Sequence, residues 1–166
     1  MDYNKCLMVY FEESDDIKDI QKKIKKTDVF DESGCGIETE PHVTLLFGLS
    51  ENVTKEQLQK HLQPLSKYRT MCLGSSLFEN ENFDVLKMSA HNKVLVETNK
   101  ALRDNFDYKN SYRDYSPHVT VAYLRSGEGQ KYVNPTFKKT LFLKPLKFVL
   151  STEIEPGKYK QEEWID

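Results

Sequence analysis

The chain has 166 residues, of which 38% are hydrophobic and 30% are charged, and its formal net charge is −2. This length predicts a single domain over residues 1–166, because a domain commonly takes about 100 to 200 residues. The charge argues against a protein that binds long duplex nucleic acid through its phosphates, since that requires a basic excess. No apolar run approaches the roughly 18 residues of a membrane span, and residues 1–5 lack a signal-peptide pattern, so we expect a cytosolic protein without membrane contact.

The first half of the chain predicts alternating strands and helices. Residues 5–11 are nearly all apolar, as in a buried central strand. A helix is predicted over about 15–26, because Ser14 can serve as its N-cap, acidic residues fill its first turn and isoleucines recur at helical spacing. A strand then begins at His42, and a capping box over residues 54–57 opens a second helix.

The second half returns to strands around one helix, with strands predicted over 71–78, 83–88, 118–123, 140–143 and 146–154. Asn92 is the predicted N-cap of the helix. Residues 127–134 are polar and contain glycine, which favours a mobile loop over a pocket. The order of elements predicts an α+β fold with two similar lobes, in which two antiparallel sheets line a central cleft and the helices lie outside.

The three cysteines, Cys6, Cys35 and Cys72, form neither a paired disulfide framework nor a Cys-x-x-Cys metal site. We expect them to be reduced, partly buried thiols. The few scattered histidines and carboxylates do not resemble the ligand cluster of a two-metal phosphodiesterase. We therefore expect neither a metal nor another cofactor.

One tetrapeptide, Pro-His-Val-Thr, occurs twice, at residues 41–44 and 117–120, and holds two of the four histidines. Each copy opens a run with high β-propensity, and proline is tolerated as the first residue of a strand. Side chains two apart on a strand share a face, so the histidine and threonine of each copy point the same way. The four predicted catalytic residues are His42, Thr44, His118 and Thr120.

A single histidine on a strand is more often a hydrogen-bonded structural residue than a catalyst. Repetition of two scarce residue types in the same order, at two strand starts, favours a functional pair. Two imidazoles and two hydroxyls around one spot suit acid–base chemistry on a phosphodiester. One histidine would take a proton from an attacking hydroxyl and the other would protonate the leaving oxygen, since the ordinary histidine pKa of about 6.5 makes both forms accessible. The threonine hydroxyls would donate hydrogen bonds to the non-bridging oxygens. The sequence does not decide which histidine is the base.

Aromatic residues near the motifs are further candidates for substrate contacts. Tyr10, at the end of the first strand, is either a core aromatic or a ring that faces the ligand. The loop before the second motif carries Tyr112, Arg113 and Tyr115, which either contact a substrate or form a packed surface loop. Trp164 is either an anchor for the C-terminal tail or a stacking platform for a base.

The paired motifs resemble those of the two-histidine (2H) phosphoesterase superfamily, which includes bacterial 2′-5′ RNA ligases, 2′,3′-cyclic nucleotide phosphodiesterases and viral 2′-5′ phosphodiesterases. Its signature is two His-x-Thr/Ser motifs on neighbouring strands of a bilobal sheet, which His42, Thr44, His118 and Thr120 match position by position. The order of elements fits along nearly the whole chain. Within the superfamily, the short length and the tail ending in Trp164 are most similar to the phage anti-CBASS nucleases, which destroy cyclic di- and trinucleotide alarm signals.

This resemblance implies hydrolysis of 3′-5′ bonds in such cyclic nucleotides by attack of a 2′-hydroxyl. It also implies that Tyr10 and Trp164 hold bases and that Glu153 contacts the substrate. The position of the loop before the second motif, rather than the resemblance, makes Tyr115 a further predicted substrate contact. The partner would be a small nucleotide or a short RNA end, bound by a monomer in the cytosol, or in the host cytosol for a phage-encoded chain. The alternatives are a 2′,3′-cyclic phosphodiesterase acting on RNA ends, a 2′-5′ phosphodiesterase, and a cyclic-nucleotide sponge without catalysis.

Overall fold

The structure is a computed structural model that describes residues 2–32 and 34–165, so Met1, Ser33 and Asp166 lie outside it. The strands are β1 (Lys5–Phe11), β2 (His42–Leu49), β3 (Thr70–Cys72), β4 (Ser75–Glu79), β5 (Phe83–Ser89), β6 (His118–Arg125), β7 (Leu141–Leu143), β8 (Pro145–Glu155) and β9 (Lys158–Trp164). The α-helices are α1 (Asp15–Lys22), α2 (Lys55–Gln59) and α3 (Lys93–Asn105), and 3₁₀ turns cover Lys26–Asp28, Gln63–Lys67 and Gln130–Tyr132. The described strands pair antiparallel throughout, which confirms the predicted α+β class with antiparallel sheets.

Side-chain caps open the three α-helices where the sequence predicts them. Ser14 caps α1, the side chains of Thr54 and Gln57 form the reciprocal capping box of α2, and Asn92 caps α3. Such caps satisfy backbone N–H groups that have no partner inside the helix. The first helix ends at Lys22, earlier than predicted, and the chain continues into a 3₁₀ turn. No helix within the two described ranges is long and apolar enough to cross a bilayer.

Strands from both ends of the chain share the largest sheet, whose order is β2-β1-β8-β9. A second sheet has the order β4-β5-β6, and a third pairs β3 with β7. The predicted lobes are therefore not consecutive halves of the chain, because β2 of the first motif shares its sheet with strands from the C-terminal end, while β6 of the second motif lies in the second sheet. The C-terminal strand β8 lies beside β1, and the small third sheet was not predicted.

One predicted strand is divided in the structure, and another strand was not predicted. The strand predicted over residues 71–78 divides at Gly74, where an added Cβ would lie 2.0 Å from the carbonyl oxygen of Pro135. The backbone passes too close there for any other residue. The strand β9 was missed because most of its side chains are polar or charged, and it follows β8 through a turn in which Gly157 has a φ of 80°.

The two faces of the largest sheet have different roles. One face carries apolar side chains that are at most 2% exposed, including Leu7, Val9, Val43 and Phe148. Full burial of such a side chain contributes about 1.5–3 kcal/mol to stability. Alternation along the strands places the motif residues of β2 on the opposite face, away from this core.

The loop over residues 127–134, predicted to be mobile, is instead held by side chains. The buried carboxylate of Asp84 accepts hydrogen bonds from the N–H groups of Gly127 and Gly129, both at 3.0 Å. Lys131 forms an ion pair with Asp28 at 3.0 Å. The prediction of a mobile lid is therefore wrong for this structure.

Candidate active site

The two copies of the tetrapeptide start their strands in the same way. The histidines are the first residues of β2 and β6, as predicted. The carbonyl of Pro41 accepts a hydrogen bond from the N–H of Phe11, and that of Pro117 accepts one from Ala90, both at 2.9 Å. The carbonyl oxygen of each proline therefore takes part in the sheet. The N–H that proline lacks is not needed for strand pairing at this position.

A cavity of about 580 Å³ is lined by Thr44, His118 and Thr120. Within the first motif, Val43 is fully buried in the core. His42 is not among the lining residues, but alternation along the strand places its side chain on the same side of β2 as that of Thr44. Three motif residues line this cavity, and the fourth lies on the face that borders it.

Hydrogen bonds hold the segment just before the first motif against the strand of the second motif. The N–H of Glu38, four residues before the first histidine, donates to the carbonyl of Val121 in β6 at 3.0 Å. The side-chain amide of Gln21 donates to the carbonyl groups of both residues, at 2.6 Å to Glu38 and 3.1 Å to Val121. Helix α1 thus joins the segment that enters β2 to the middle of β6.

The two imidazoles are held by equivalent hydrogen bonds. Nδ1 of His42 lies 2.8 Å from the carbonyl oxygen of Glu40, and Nδ1 of His118 lies 3.0 Å from that of Ser116. A carbonyl oxygen only accepts, so each Nδ1 carries the proton. The Nε2 atom of each ring is therefore left to take or give a proton.

The hydroxyl of each motif threonine lies beside an ionisable side chain, Cys6 for Thr44 and Tyr123 for Thr120. Burial raises the pKa of Cys6 to about 11, and the hydroxyl of Thr44 beside it partly offsets this shift. Burial and nearby negative charges raise the pKa of Tyr123, and the hydroxyl of Thr120 partly offsets that shift. The Cys6 thiol therefore stays neutral near pH 7, which disfavours it as a nucleophile.

Tyr10 lies at the site as a support for the first histidine. Its ring stacks on that of His42, with centroids 4.6 Å apart and planes 18° apart. On the neighbouring strand, Nζ of Lys147 lies 5.4 Å from the centroid of the Tyr10 ring and 3.0 Å from a carboxylate oxygen of Glu163. Burial raises the pKa of Tyr10 to about 12, with a smaller contribution from nearby carboxylates. The ring is thus flanked by protein side chains, which leaves less of it for a base than the sequence suggested.

The loop before the second motif contributes to the cavity in part. Tyr115 lines it and donates a hydrogen bond from its hydroxyl to the carbonyl of Thr44 at 2.8 Å. Burial raises the pKa of Tyr115. Tyr112 also lines the cavity, whereas Arg113 does not. The loop is therefore a wall of the cavity and a tie to β2.

The prediction that Trp164 stacks on a base is wrong for this structure. Trp164 pairs in register with Phe148, so it lies on the core face of the sheet, opposite to His42. It is 6% exposed, its ring centroid lies 6.0 Å from that of Phe148, and Nζ of Lys55 in α2 lies 5.5 Å above it. Trp164 is the anchor of the tail, the other interpretation that the sequence allows.

Glu153 lies outside the cavity lining. It is six residues beyond Lys147 on β8, about 20 Å along the strand. Its side chain accepts a hydrogen bond from the hydroxyl of Tyr159 on β9, which raises the pKa of that tyrosine. The structure does not bring Glu153 to the motif residues.

Several residues of the cavity were not singled out by sequence reasoning. Lys87 pairs with Thr120 across β5 and β6, lines the cavity, and donates to the Ser76 hydroxyl at 3.1 Å. A lysine in the mostly apolar run Val85–Met88 was the available signal. Phe47 and Phe78 also line the cavity although both are about half exposed. Their role depends on which face they occupy, which the sequence does not show.

The part of the chain that the structure describes brings no cluster of metal ligands to the cavity. Across residues 2–32 and 34–165, no three side chains of His, Cys, Asp or Glu come together in a way that could hold a metal ion. Proton transfer is chemistry that the two imidazoles can supply by themselves.

Solved structures of other proteins share this fold. A Thermus thermophilus protein is 17% identical and matches 97% of this chain and 95% of its own, with a TM-score of 0.59. Escherichia coli LigT in complex with 3′-AMP is 18% identical over 97% of both chains, with a TM-score of 0.52. Kluyveromyces marxianus Usb1 with uridine monophosphate is 8% identical over 96% of this chain and 97% of its own, with a TM-score of 0.55.

The sequence itself also matches a family. Among curated proteins none matches significantly. The pattern of the 2′-5′ RNA ligase superfamily, however, matches residues 36–153, a span that includes both tetrapeptides and most of the chain. The chain therefore belongs to the 2′-5′ RNA ligase superfamily, that is, to the two-histidine phosphoesterases, a family of phosphodiesterases.

Proposed function

We propose that the protein cleaves 3′-5′ phosphodiester bonds of cyclic di- or trinucleotides by acid–base catalysis with His42 and His118. The observation that carries this proposal is the matched pair of imidazoles on two strand starts. Each Nδ1 is bound to a carbonyl of its own chain, so each Nε2 is free to transfer a proton. A pair of such groups is what cleavage by an internal hydroxyl requires.

In the proposed reaction, one Nε2 takes the proton of the 2′-hydroxyl next to the bond, and the 2′-oxygen attacks phosphorus. The other histidine starts as an imidazolium, protonated on both nitrogens, and its Nε2–H gives its proton to the departing 5′-oxygen, so the P–O5′ bond breaks and a 2′,3′-cyclic phosphate forms. Water can open this cyclic phosphate with the roles of the two histidines exchanged. The hydroxyls of Thr44 and Thr120 donate to the non-bridging oxygens, where negative charge develops, and Lys87 supplies a cation beside Thr120.

The size of the cavity and the charge of the chain support a small nucleotide. A cavity of about 580 Å³ lies in the range of small-molecule sites. The net charge of −2 disfavours a long polyanion. Structures of the same fold were solved with 3′-AMP and with uridine monophosphate, which supports nucleotide binding. In an infected cell, this activity would remove cyclic-nucleotide alarm signals, which is the anti-CBASS role.

A second candidate function is cleavage of 2′-5′ linkages or of 2′,3′-cyclic phosphates at RNA ends. The family match favours it, because the family is described by its action on 2′-5′ RNA linkages. The same two histidines would act in either case. A third candidate, a sponge that binds without turnover, would use the same cavity.

The test is a substrate panel in the presence of EDTA. The protein is incubated with cyclic dinucleotides, cyclic trinucleotides, 2′-5′ oligoadenylate and RNA with a 2′,3′-cyclic end, and the products are separated. We expect rapid cleavage of a cyclic oligonucleotide, and its loss in the His42→Ala and His118→Ala variants. His91→Ala is the matched control, because His91 is exposed and does not line the cavity.

Each outcome of the panel distinguishes the candidates. Cleavage confined to 2′-5′ oligoadenylate or to the cyclic RNA end would replace the proposed substrate by the second candidate. Recovery of intact ligand after denaturation would show a sponge. Activity that EDTA abolishes and added metal restores would overturn the two-histidine mechanism.

A further inference from the structure

The repeat in this chain is longer than the tetrapeptide. In each copy the threonine is followed by two apolar residues and then by an aromatic residue, Phe47 in β2 and Tyr123 in β6. Five residues after the histidine, strict alternation would place this aromatic side chain on the opposite face. Each strand, however, contains a bulge, in which Leu45 or Val121 is an extra residue without a paired partner. One extra residue reverses the alternation, so both aromatics return to the face of the motif.

The two aromatic residues differ in how much protein covers them. Tyr123 is half-buried and its ring packs edge-on against Phe83, with centroids 5.4 Å apart. Phe47 is 52% exposed while it lines the cavity, and no aromatic ring of the described residues packs against it. A large apolar side chain left open in a cavity wall indicates a surface for an apolar or aromatic ligand.

A second exposed aromatic residue is tied to Phe47 through the backbone. Tyr112 is 69% exposed and lines the same cavity. The side chain of Asn110 joins the two backbones, since its Nδ2 donates to the carbonyl of Phe47 at 2.8 Å and its Oδ1 accepts from the N–H of Tyr112 at 3.1 Å. The two rings therefore extend from backbone positions that a single side chain bridges.

The docking of this loop depends on a glycine. The N–H of Lys109 donates to the carbonyl of Gly48 at 2.9 Å. Gly48 has a φ of 82°, and an added Cβ would lie 2.1 Å from the carbonyl oxygen of Lys109. The residue directly after Phe47 must therefore be glycine for the loop to approach β2 so closely.

Polar groups complete this part of the cavity. Arg103 and Asn99, both on α3, line it together with Asp114. Nε of Arg103 donates to the hydroxyl of Tyr108 at 2.9 Å, which orients the guanidinium group. Two open aromatic rings with hydrogen-bonding groups around them match a flat, aromatic ligand with a polar edge, which is the chemistry of a nucleobase.

We propose that Phe47 and Tyr112 form a clamp in which a nucleobase of the substrate stacks, while its phosphate lies at the motif residues. This inference rests on the proposed function, because the bound molecule must be a nucleotide whose phosphodiester reaches His42 and His118. Stacking makes the clamp tolerant of base identity, since every base has an aromatic face. The adjacent polar residues then supply whatever base preference the enzyme has.

The first test compares steady-state kinetics of clamp variants. Phe47→Ala and Tyr112→Ala should each raise KM for the cleaved nucleotide by about tenfold, the scale of one lost base–aromatic stack, and change kcat much less. Phe47→Trp and Tyr112→Phe should restore KM. Phe142→Ala is the matched control, because Phe142 is 53% exposed on β7 and does not line the cavity.

The second test removes the base from the ligand. Ribose 2′,3′-cyclic phosphate, which has no base, should be cleaved equally by the wild-type and the Phe47→Ala proteins, whereas cleavage of a nucleoside 2′,3′-cyclic phosphate should be weakened by this substitution. An equal loss on both substrates, or no loss on either, would overturn the clamp. If the wild type cleaves neither compound, the same comparison is made by measuring binding of the nucleoside and of the ribose phosphate.

A third test reports binding without turnover. In a Phe47→Trp, His118→Ala protein, the emission of the new indole should be quenched by nucleotides and not by ribose 5-phosphate. If nucleotides quench this variant but the wild type cleaves nothing on the panel, the clamp is kept and the proposed catalysis is rejected. Histidine-dependent cleavage together with no quenching would keep the catalysis and reject the clamp.

Discussion

The two copies of the tetrapeptide make equivalent hydrogen bonds but have different surroundings. Around the first copy, His42 stacks on Tyr10, which in turn lies beside Lys147. Around the second copy, the strand next to His118 presents Lys87 to the cavity, and no aromatic ring of the described residues packs on that imidazole. The comparison teaches that the repeated sequence positions two equivalent imidazoles, while the neighbouring strands make their environments unequal.

The largest expected effect comes from removing the imidazoles. We expect His42→Ala and His118→Ala each to lower kcat/KM by about 10²–10⁴-fold, the usual contribution of a general acid or base. Because groups that act as a unit are not additive, the double variant should be at most about tenfold worse than the poorer single variant. Initial rates on the best substrate of the panel check this, with circular dichroism as the control for folding. If the fold-loss of the double variant equalled the product of the two single fold-losses, the histidines would not act together on one bond.

The threonines should have the next largest effect. Thr44→Val and Thr120→Val each remove a hydrogen-bond donor from developing charge and keep the side-chain shape, so kcat should fall by up to about 10²-fold. The serine variants should retain most of the activity. Unchanged kcat in the valine variants would contradict the role proposed for the hydroxyls.

A smaller effect tests the difference between the two copies. Tyr10→Leu removes the ring that stacks on His42, and an aromatic pair contributes about 0.5–1.5 kcal/mol, so kcat should fall about two- to tenfold. Tyr10→Phe keeps the ring and should behave as wild type in kcat measurements. If Phe and Leu variants lose activity equally, the Tyr10 hydroxyl rather than the stack is what matters.

The smallest effect on activity is expected at Trp164. Its replacement by alanine empties a buried site and should lower the free energy of unfolding by about 3–5 kcal/mol in denaturant titrations. Far below the melting temperature, kcat and KM should stay within about twofold of wild type, because the ring lies on the core face of the sheet. Trp164→Phe keeps most of the buried side-chain volume, so this variant should stay folded and its activity can be measured without a large loss of stability. A raised KM in a fully folded Trp164→Phe protein would return this residue to the substrate site.

Local signals in the sequence predicted the parts of the fold that depend on neighbouring residues. The caps at Ser14, Thr54 and Asn92, the strand starts at both motif histidines and the shared face of each His-x-Thr pair need only local sequence. The position of Trp164 depends on the register of β9 against β8, and the polar side chains of β9 give no sign of this pairing. The sequence therefore did not show whether Trp164 lies on the core face or on the motif face of the sheet.

Bulges and long-range contacts were equally hidden. Phe47 and Tyr123 reach the cavity face only because Leu45 and Val121 are extra residues in their strands, and a bulge is visible only once partner strands are aligned. The loop over 127–134 is held by Asp84, more than forty residues earlier in the chain, so its composition alone suggested mobility.

The most direct test of the central claim uses a substrate whose leaving group needs no proton. Wild type, His42→Ala and His118→Ala are compared on a natural dinucleotide and on uridine 3′-(4-nitrophenyl phosphate). If one histidine is the base and the other the acid, the variant that lacks the acid recovers most of its activity on the nitrophenyl ester, while the variant that lacks the base does not. Equal losses of both variants on both substrates, or no loss in either, would contradict the acid–base pair.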